Sequence, residues 1–312
     1  MEPESEAPTD PKTSEIGGKS LHAPLAKGLN LAPGLYLTAT PIGNAADITL
    51  RALSVLKFCD AIVAEDTRVT SRLLAIHGIS RPLLVYNDHN AASMRPKLLQ
   101  RLKDGARLAL VSDAGTPLVS DPGHKLVKAA QAEGIPVFPL PGASAVLAAL
   151  TISGLPSEKF FFAGFLPPKS AERKTALERL RPIPATLILF ESAQRLAGTL
   201  ADMVDILGQR EAAVARELTK LHEDIRRGPL AELAIFYRDS APPKGEITLV
   251  VGPPPEEAPD TARIDALLAQ MLPFMPLKGA SALVADLTGA PRRAVYSRAL
   301  VLKGQSDDDG GP

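Results

Sequence analysis

The sequence predicts two consecutive α/β domains followed by a small helical module, and three observations lead to that prediction. Short apolar runs alternate with amphipathic stretches over residues 34–140. A second block of such segments, with shorter links between some of its strands, covers residues 141–252. After a proline-rich linker at residues 253–260, residues 261–304 carry helical patterns only. Alternation of strands and helices is typical of sheets covered by helices.

The first domain contains five strand candidates joined by segments long enough to hold a helix. Such connections return the chain to the same end of the sheet, so they predict parallel strands with helices on both faces. Ligand sites in such sheets lie beyond the carboxyl ends of the strands. The strand candidates are Leu35–Thr40, Ala61–Ala64, Leu83–Tyr86, Leu108–Ser112 and Val137–Pro139. The helices are expected to begin near Ile48, Val69, Ser93 and Gly123.

The second domain is expected to start with a helix over Ala143–Ser153 that ends at Gly154. Short links between some of its strands predict a mixed sheet. In the C-terminal module, one helix ends near Leu287 and another runs to about Leu302, with a turn at Thr288–Pro291 between them. The strand candidates of the second domain are Phe160–Ala163, Thr186–Phe190, Ala213–Glu217, Asp224–Arg227 and Glu246–Val251, and its further helices fall near Ala171–Leu180, Gln194–Leu207 and Leu230–Arg238.

The two ends of the chain differ from the rest in composition. Residues 1–33 are rich in Pro, Ser and Glu without a hydrophobic period, so we expect a disordered leader there and a disordered tail at residues 305–312. The leader lacks the apolar segment of a secretory signal, and no apolar run reaches the roughly 18 residues of a membrane helix. Cys59 is the only cysteine, which excludes an internal disulfide and fits the cytoplasm. The five histidines lack zinc-site spacing, so no metal is expected.

The formal net charge is zero, but its distribution is uneven. Acidic residues concentrate in residues 1–20 and at Asp307–Asp309, and between these ends, over residues 21–306, 33 basic residues face 27 acidic ones. This modest excess permits an RNA partner without requiring one. From Lys278 to Lys303 five basic residues accompany one acid, Asp286. RNA contact and a solvated helix surface explain that cluster equally well.

The strongest local signal for chemistry is LALVSDAGTPLVSDPG, residues 108–123. Asp113 follows an apolar strand, and Gly115 favours a sharp loop whose backbone amides can face a ligand. Asp121 stands where the N-cap of the next helix is expected, with Pro122 at the first helical position. A tight turn alone would explain these residues, except for the carboxylate of Asp113.

Polar residues also follow two other strands. In Glu65–Arg68, Asp66 could cap the next helix or take part in a reaction, and Arg68 could pair with an acid or bind phosphate. In Asp88–Asn90, His89 could accept a proton or lie on the surface. These residues are candidates for the carboxyl edge of the first sheet.

The segment Pro139–Ser144 links the two domains and is either a hinge or a close approach to a bulky ligand. The sequence shows no Ser-His-Asp, Cys-His or paired-carboxylate hydrolase pattern, and Gly-x-Gly-x-x-Gly does not follow the first strand, which disfavours nicotinamide chemistry. The residues alone therefore predict a two-domain α/β protein with a ligand cleft between its domains.

Taken together, these segments resemble the ribosomal RNA small-subunit methyltransferase I family. The likeness covers about residues 34–252 and, more loosely, the last helices. Each motif is weak alone, but their order makes the combination specific. The matching segments are Thr40–Asn44, Ala46–Thr49, Ala64–Arg68, Asp88–Asn90, Val111–Pro117, Asp121–Gly123, Pro139–Gly142, Gly164–Pro167, Phe190–Ser192, Ala215–Lys220 and Lys244–Glu246.

The resemblance implies the tetrapyrrole-methylase fold, in which S-adenosylmethionine binds in the cleft between two α/β domains. It further implies a cytoplasmic homodimer that methylates the ribose 2′-oxygen of a cytidine near the ribosomal P site, in 16S rRNA or the small subunit. Matching the motifs residue by residue gives the cofactor-binding candidates Pro41, Asp113, Ala114, Gly115, Thr116, Pro141, Gly142, Phe190, Glu191 and Gly245.

Two departures from related sequences bear on the substrate. Gln194 stands where some relatives have histidine, which argues against an essential histidine there. The Gly-x-Gly-Pro-Gly-Asp loop of porphyrin-acting relatives is replaced by Thr40–Asn44, which favours RNA over a tetrapyrrole. A precorrin-type methyltransferase and a non-catalytic RNA-binding assembly factor are the alternatives.

A ribose hydroxyl is a weak nucleophile, so a proton acceptor should assist methyl transfer. Glu65, Asp66, His89 and Glu246 are the candidates, with Glu65 or Asp66 preferred because they follow a strand at the expected cleft. The candidates for contact with rRNA phosphates are Arg68, Lys169, Arg173, Lys174, Arg292 and Arg293. For the bases that follow Gly164, an ordinary solvated helix face is an equally good explanation.

Overall fold

The computed structural model describes residues 31–255 and 260–308. The predicted leader therefore lies largely outside the described residues, although Leu31 is buried in the core. The chain forms two compact units, one of residues up to 180 with 185–252 and one of residues 181–184 with those from 253 onward. Among the described helices, none is long and apolar enough to cross a bilayer.

The first unit opens with a five-stranded parallel sheet in the order β3-β2-β4-β1-β5. Its central strands are mostly apolar, as expected for strands covered by helices on both faces, and every residue of Ala61–Ala64 is buried. All five carboxyl ends lie at one edge of the sheet. The strands are β1 (Gly34–Thr38), β2 (Ala61–Ala64), β3 (Leu83–Val85), β4 (Arg107–Val111) and β5 (Val137–Leu140).

Four helices cover this sheet, and two separate apolar clusters pack against it. The first helix begins at Leu50 because the Thr49 side chain accepts a hydrogen bond from the Ala52 amide. The lone Cys59 is buried in one of the clusters. The helices are α1 (Leu50–Phe58), α2 (Thr67–Ile76), α3 (Ala91–Lys103) and α4 (His124–Ala132).

The second sheet has the order β6-β7-β10-β8-β9. The pair β6–β7 is parallel and the other pairs are antiparallel, which confirms the predicted mixed sheet. Helix α5 (Ala145–Ser153) packs on it and ends at Gly154, whose φ of 77° is left-handed. The strands are β6 (Phe160–Phe165), β7 (Thr186–Ser192), β8 (Glu211–Arg216), β9 (Asp224–Pro229) and β10 (Glu246–Val251); the remaining helices are α6 (Ser170–Leu180), α7 (Leu196–Leu207) and α8 (Leu230–Asp239).

The second unit contains three helices, α9 (Thr261–Met271), α10 (Leu277–Thr288) and α11 (Arg292–Asp308). They share a small apolar core that includes Leu268 and Val284. Gly289 ends α10 in a left-handed conformation, so the predicted helix–turn–helix outline is present.

Candidate functional site

Three loops at the carboxyl edge of the first sheet converge, as the sequence predicted. Thr40, after β1, exchanges two backbone hydrogen bonds of 2.9 Å with Gly115, after β4. The Thr40 hydroxyl also donates to the Ser112 carbonyl at 3.0 Å. The Thr116 hydroxyl donates to the Ala143 carbonyl at 3.1 Å, which ties the loop after β4 to the loop after β5.

Gly142 allows the third loop to come this close. A Cβ atom at this position would lie 2.8 Å from the Ala39 Cβ, which is too close for two carbon atoms. A glycine is therefore needed for the loop after β5 to pass the loop after β1.

The converging loops and the second sheet enclose a cavity of about 420 Å³. This volume is within the range of small-ligand sites, about 300–1,000 Å³. Of the predicted cofactor residues, Pro41, Pro141 and Gly142 are not part of the wall: Pro41 precedes Ile42, and Pro141 and Gly142 lie two to three residues before Ser144. The wall is formed by Ile42, Asp113–Thr116, Val119–Asp121, Ser144–Val146, Phe165, Phe190–Ala193, Leu218 and Gly245–Thr248.

The charged residues of the cavity wall are all acidic. Four carboxylates line it, from Asp113, Asp121, Glu191 and Glu246, and none of the described wall residues is basic. A ligand that carries phosphate would be repelled by this wall, whereas a cationic ligand would be attracted. The lining therefore suits a cationic molecule of nucleoside size.

Two of these carboxylates already have basic partners. The buried Glu191 side chain receives hydrogen bonds from Thr199 at 2.6 Å and from Arg195 at 3.2 Å. The Glu246 carboxylate lies 2.8 Å from the Lys220 ammonium and is mostly exposed. The Glu246 carboxylate is therefore already engaged in an ion pair at the cavity wall.

Gly245 is required where the second sheet borders the cavity. Its φ is +97°, and a Cβ atom there would clash with the Glu217 side chain. The Glu217 carboxylate accepts the Glu246 amide at 3.0 Å, so the close approach holds the start of β10 in place. Two non-glycine residues near this contact, Glu217 and Thr219, also adopt left-handed conformations, with φ of 51° and 65°.

Two aromatic rings, those of Phe165 and Phe190, contribute to the apolar part of the wall. The ring centroids of Phe165 and Phe190 lie 5.5 Å apart, and Phe162 packs edge-on against Phe190 at 4.9 Å. Phe165 remains 59% exposed although it lines the cavity. It offers a flat apolar surface to a ring of the ligand or of the substrate.

A second, more open depression of about 510 Å³ lies along the same sheet edge, and we call it the acceptor groove. Asp113 lines both the cavity and the acceptor groove, so the two spaces share a wall. The groove thus brings together three of the four predicted proton acceptors. It is lined by Glu65–Arg68, Val85, Asn87–His89 and Asp113.

The two preferred acceptors differ in their environments. Burial, together with the neighbouring charges of Asp113, Asp88 and Asp66, raises the pKa of Glu65. The Asp66 carboxylate caps α2 by accepting the Arg68 amide at 2.8 Å. Hydrogen bonds from Arg68 hold the pKa of Asp66 at about 2. Glu65 is therefore the better proton acceptor, and Asp66 is occupied with capping and ion pairing.

The prediction for Asp121 is wrong. Helix α4 begins at His124, with Gly123 as its N-cap and no side-chain capping bond. The Asp121 side chain instead lines the cavity. Leu118 and Ser120, with left-handed φ of 73° and 65°, turn the chain before it could enter a helix at Pro122. The Asp-Pro pair is typical of a helix start, and nothing next to it in the sequence indicates that Asp121 lines the cavity.

The prediction that Arg173 contacts phosphate also needs correction. Its guanidinium is buried, 2.6 Å from the Asp202 carboxylate, and it donates to the Pro168 carbonyl at 3.0 Å. A side chain held in this way positions α6 against α7 and cannot reach a nucleic acid.

The other predicted phosphate contacts lie on the surface. The exposed guanidinium of Arg68 pairs with Asp66, and Lys169 pairs with Glu172 at 3.2 Å. Lys174 lies 2.6 Å from Asp205. In the second unit, Arg292 pairs with Asp286 at 3.1 Å, and Arg293 is exposed.

Comparison with known proteins assigns both units to the family that the sequence motifs resemble. Residues 34–234 match the family model of tetrapyrrole (corrin/porphyrin) methylases, and residues 258–303 match the RsmI C-terminal HTH domain. The chain is 53% identical to the ribosomal RNA small subunit methyltransferase I of Mesorhizobium japonicum, over 90% of this chain and 96% of that protein. It belongs to the ribosomal RNA small subunit methyltransferase I family.

Other members of the family are also similar along their whole length. The Pseudomonas aeruginosa protein of the same name is 46% identical, over 87% of this chain and 98% of its own. Solved structures share the fold at lower identity. The uroporphyrin-III-C-methyltransferase of Thermus thermophilus has a TM-score of 0.52 at 23% identity, over 70% of this chain and 94% of its own. A diphthine synthase has a TM-score of 0.55 at 16% identity, over 70% and 89%.

Proposed function

We propose that this chain uses S-adenosylmethionine to methylate the ribose 2′-oxygen of a cytidine near the P site of 16S rRNA. One observation carries the proposal: Asp113 belongs both to the acidic cavity and to the acceptor groove. A methyl donor in the cavity and a ribose in the groove would meet across this residue. Membership of the family supports rRNA as the substrate.

The cavity fits the cofactor in charge and in shape. S-adenosylmethionine supplies a methyl group on a positively charged sulfonium and carries no phosphate, which suits a wall with four carboxylates and no described basic residue. The backbone of Ala114–Thr116 lies in the cavity wall, where its polar groups can contact an adenosyl group. Gly245 also lies in the wall, and its lack of a side chain allows the close contact with Glu217. Phe190 adds an apolar contact from the second sheet.

In this mechanism, Glu65 accepts the proton of the ribose hydroxyl while the oxygen gains the methyl group. Its raised pKa makes it a stronger base than an ordinary carboxylate, and it lines the groove in which we propose that the ribose binds. General-base assistance of this kind is typically worth about 10²–10⁴-fold in rate. His89 lines the same groove and is exposed, so it is the alternative acceptor.

Holding the reactants in line contributes more than proton transfer. Good alignment of two bound reactants can lower a barrier by roughly 7–11 kcal/mol. Here the hydrogen bonds that join Thr40 to Gly115 and Thr116 to Ala143 fix the loops between cavity and groove. These side chains and backbone groups position the reactants.

We propose the exposed bases Arg68, Lys169, Lys174, Arg292 and Arg293 as contacts to rRNA phosphates. All of these bases except Arg293 pair with an acidic side chain, which partly neutralises their charge. Each should therefore contribute only a small part of the RNA-binding free energy. Lys169→Glu should weaken RNA binding. It should also make the slope of log affinity against log salt concentration shallower by about one to two, the change expected when one or two phosphate contacts are lost. If the Lys169→Glu variant has the same salt dependence as the unmodified protein, Lys169 does not contact the RNA.

The experiment that tests the proposed function is a methyl-transfer assay on small ribosomal subunits from a strain that lacks the gene. We expect label from S-adenosylmethionine to enter one cytidine at the ribose oxygen, and we expect a dimer in sedimentation. Label in a small tetrapyrrole would support a precorrin-type enzyme. A chain that binds subunits but no cofactor would be an assembly factor. Either result would contradict the proposal.

A further inference from the structure

Asp121 is the cavity carboxylate that the proposed reaction leaves without a role. It lies in the segment that joins β4 to α4 and lines the cavity together with Val119 and Ser120. It does not cap the helix that follows it. Its side chain forms a hydrogen bond with Ser112, but no described basic residue acts on it. A half-buried carboxylate of this kind in a ligand cavity calls for an explanation in terms of the ligand.

The backbone around Asp121 is held in an unfavourable conformation. Leu118 and Ser120 both adopt left-handed φ values, of 73° and 65°, which are disfavoured for residues with side chains. Strain of this kind persists where the surrounding structure enforces it, and it often marks a binding site. Here it keeps the Asp121 side chain at the cavity and away from the end of α4.

Asp121 also differs from the other three carboxylates of the wall in its neighbours. Glu191 is paired with Arg195, and Glu246 with Lys220. Asp113 accepts the Asp66 amide at 3.1 Å. It also interacts with the charge of Arg68.

For Asp121, in contrast, the described residues include no basic side chain that acts on it. The charged groups that face it are Glu65, from the end of β2, and Asp113, from the end of β4. Desolvation and these two like charges raise the pKa of Asp121 to about 6, and contact with Ser112 offsets this only in part. A positive charge in the cavity would relieve this repulsion.

We propose that Asp121 recognises the sulfonium charge of S-adenosylmethionine and so distinguishes the cofactor from its uncharged thioether product. This inference rests on the proposed function. Asp121 lines the cavity together with Asp113, which also borders the acceptor groove, and the charges of Asp113 and of the groove residue Glu65 act on its carboxylate. The sulfonium must face that groove for the methyl group to reach it. Once the methyl group has left, the attraction disappears, which favours release of S-adenosylhomocysteine.

The test compares the affinities of three ligands, by calorimetry without RNA, for the unmodified protein and for Asp121→Asn. The ligands are S-adenosylmethionine, the neutral-sulfur S-adenosylhomocysteine, and sinefungin, which carries an ammonium group in place of the sulfonium. Asn has nearly the same shape as Asp, so the variant removes the charge with little change in volume, and one acceptor oxygen becomes an NH₂ donor. Asp205→Asn makes the same charge change on the surface, where Asp205 pairs with Lys174 outside the cavity wall, and serves as the matched control.

We expect Asp121→Asn to weaken S-adenosylmethionine and sinefungin by about 10- to 100-fold, the range that loss of a charged partner typically gives. Binding of S-adenosylhomocysteine should change little, and Asp205→Asn should alter none of the three affinities. Equal weakening of all three ligands would place Asp121 at the amino-acid end of the cofactor and overturn the inference. Unchanged affinities would overturn it as well.

A pH series gives a second readout. In the unmodified protein, the preference for S-adenosylmethionine over its product should shrink as the pH falls below 6, where Asp121 becomes protonated. Because Glu65 and Asp113 face the same space, the Asp121→Asn variant is the reference at each pH. A preference that falls equally in both proteins would assign the effect to those neighbours and contradict the inference. Failure of the unmodified protein to bind any of the three ligands would instead refute the proposed function.

Discussion

The loop after β2 and the loop after β4 lie at the same edge of one sheet, and both are acidic, but they use their carboxylates differently. After β2, Asp66 caps α2 and pairs with Arg68, so its charge is satisfied locally. After β4, Asp121 caps nothing, and strained residues hold it at the cavity. A carboxylate that caps a helix or pairs with a neighbouring base is a poor indicator of a functional site. A carboxylate without such a partner, held in place by strained backbone, is a better one.

The largest effect should come from Glu65, which belongs to the loop after β2 but is free of its capping network. Glu65→Gln should lower turnover by about 10²–10⁴-fold, because the ribose hydroxyl loses its proton acceptor. Cofactor affinity, measured by calorimetry, should remain unchanged. Asp66→Asn is the matched control and should lower turnover much less. If Glu65→Gln keeps normal single-turnover rates, Glu65 is not the proton acceptor, and His89 becomes the candidate.

Asp121→Asn should stabilise the cofactor-free protein even though it weakens cofactor binding. The pKa of Asp121 is raised to about 6 in the folded state, so folding favours its protonated form. That contribution to stability is present below about pH 4 and is lost as the pH rises through 6. At pH 7.5 the variant should gain roughly 1–2 kcal/mol in the free energy of unfolding, after allowance for solvent screening.

Urea unfolding of the two proteins at pH 7.5 and pH 4 measures this difference. The gain should vanish at pH 4, where the carboxyl is protonated in the native protein too. A gain of equal size at both pH values would mean that packing, and not charge, separates the variants.

Asp66→Ala should lower the melting temperature by a few degrees, because α2 loses its N-cap. Asp66→Asn should have a smaller effect, since Asn also caps helices well. Hydrogen bonds from Arg68 hold the pKa of Asp66 at about 2, so its contribution is present above about pH 4 and is lost as the pH falls toward 2. Scanning calorimetry at pH 7 gives the comparison, and equal melting temperatures for the Ala variant and the native protein would rule out the capping role.

The smallest effect concerns strain in the loop after β4. Ser120→Gly should raise the free energy of unfolding by up to about 1 kcal/mol, because glycine adopts a left-handed conformation without a steric penalty. Ser240, with φ of −100°, is the control position. Ser240→Gly should destabilise the protein slightly. If both variants lose stability to the same extent, the loop holds no strain at Ser120.

Much of the fold could be predicted because its signals are local. Apolar runs marked most strands of the two sheets, although β9 is largely polar; Gly154 marked the end of α5, and short links indicated the mixed sheet. The meeting of the loops near Thr40 and Gly115 followed from the parallel arrangement, which brings carboxyl ends to one edge.

The errors arose where distant residues decide. Arg173 reads as a surface base on α6, but its partner Asp202 comes from α7, 29 residues further along the chain. Asp121 and Pro122 read as the start of a helix, and only the conformations of Leu118 and Ser120 show that the chain turns away. Neither long-range pairing nor left-handed backbone at a residue with a side chain has a local sequence signal.

The most direct test of the central claim, that cavity and acceptor groove meet at Asp113, is a crystal structure with S-adenosylhomocysteine bound. The account predicts that the sulfur lies beside Asp113 and Asp121, with an open path from it toward Glu65 in the acceptor groove. A sulfur atom at the Phe190 and Gly245 end of the cavity, closed off from the groove, would contradict it.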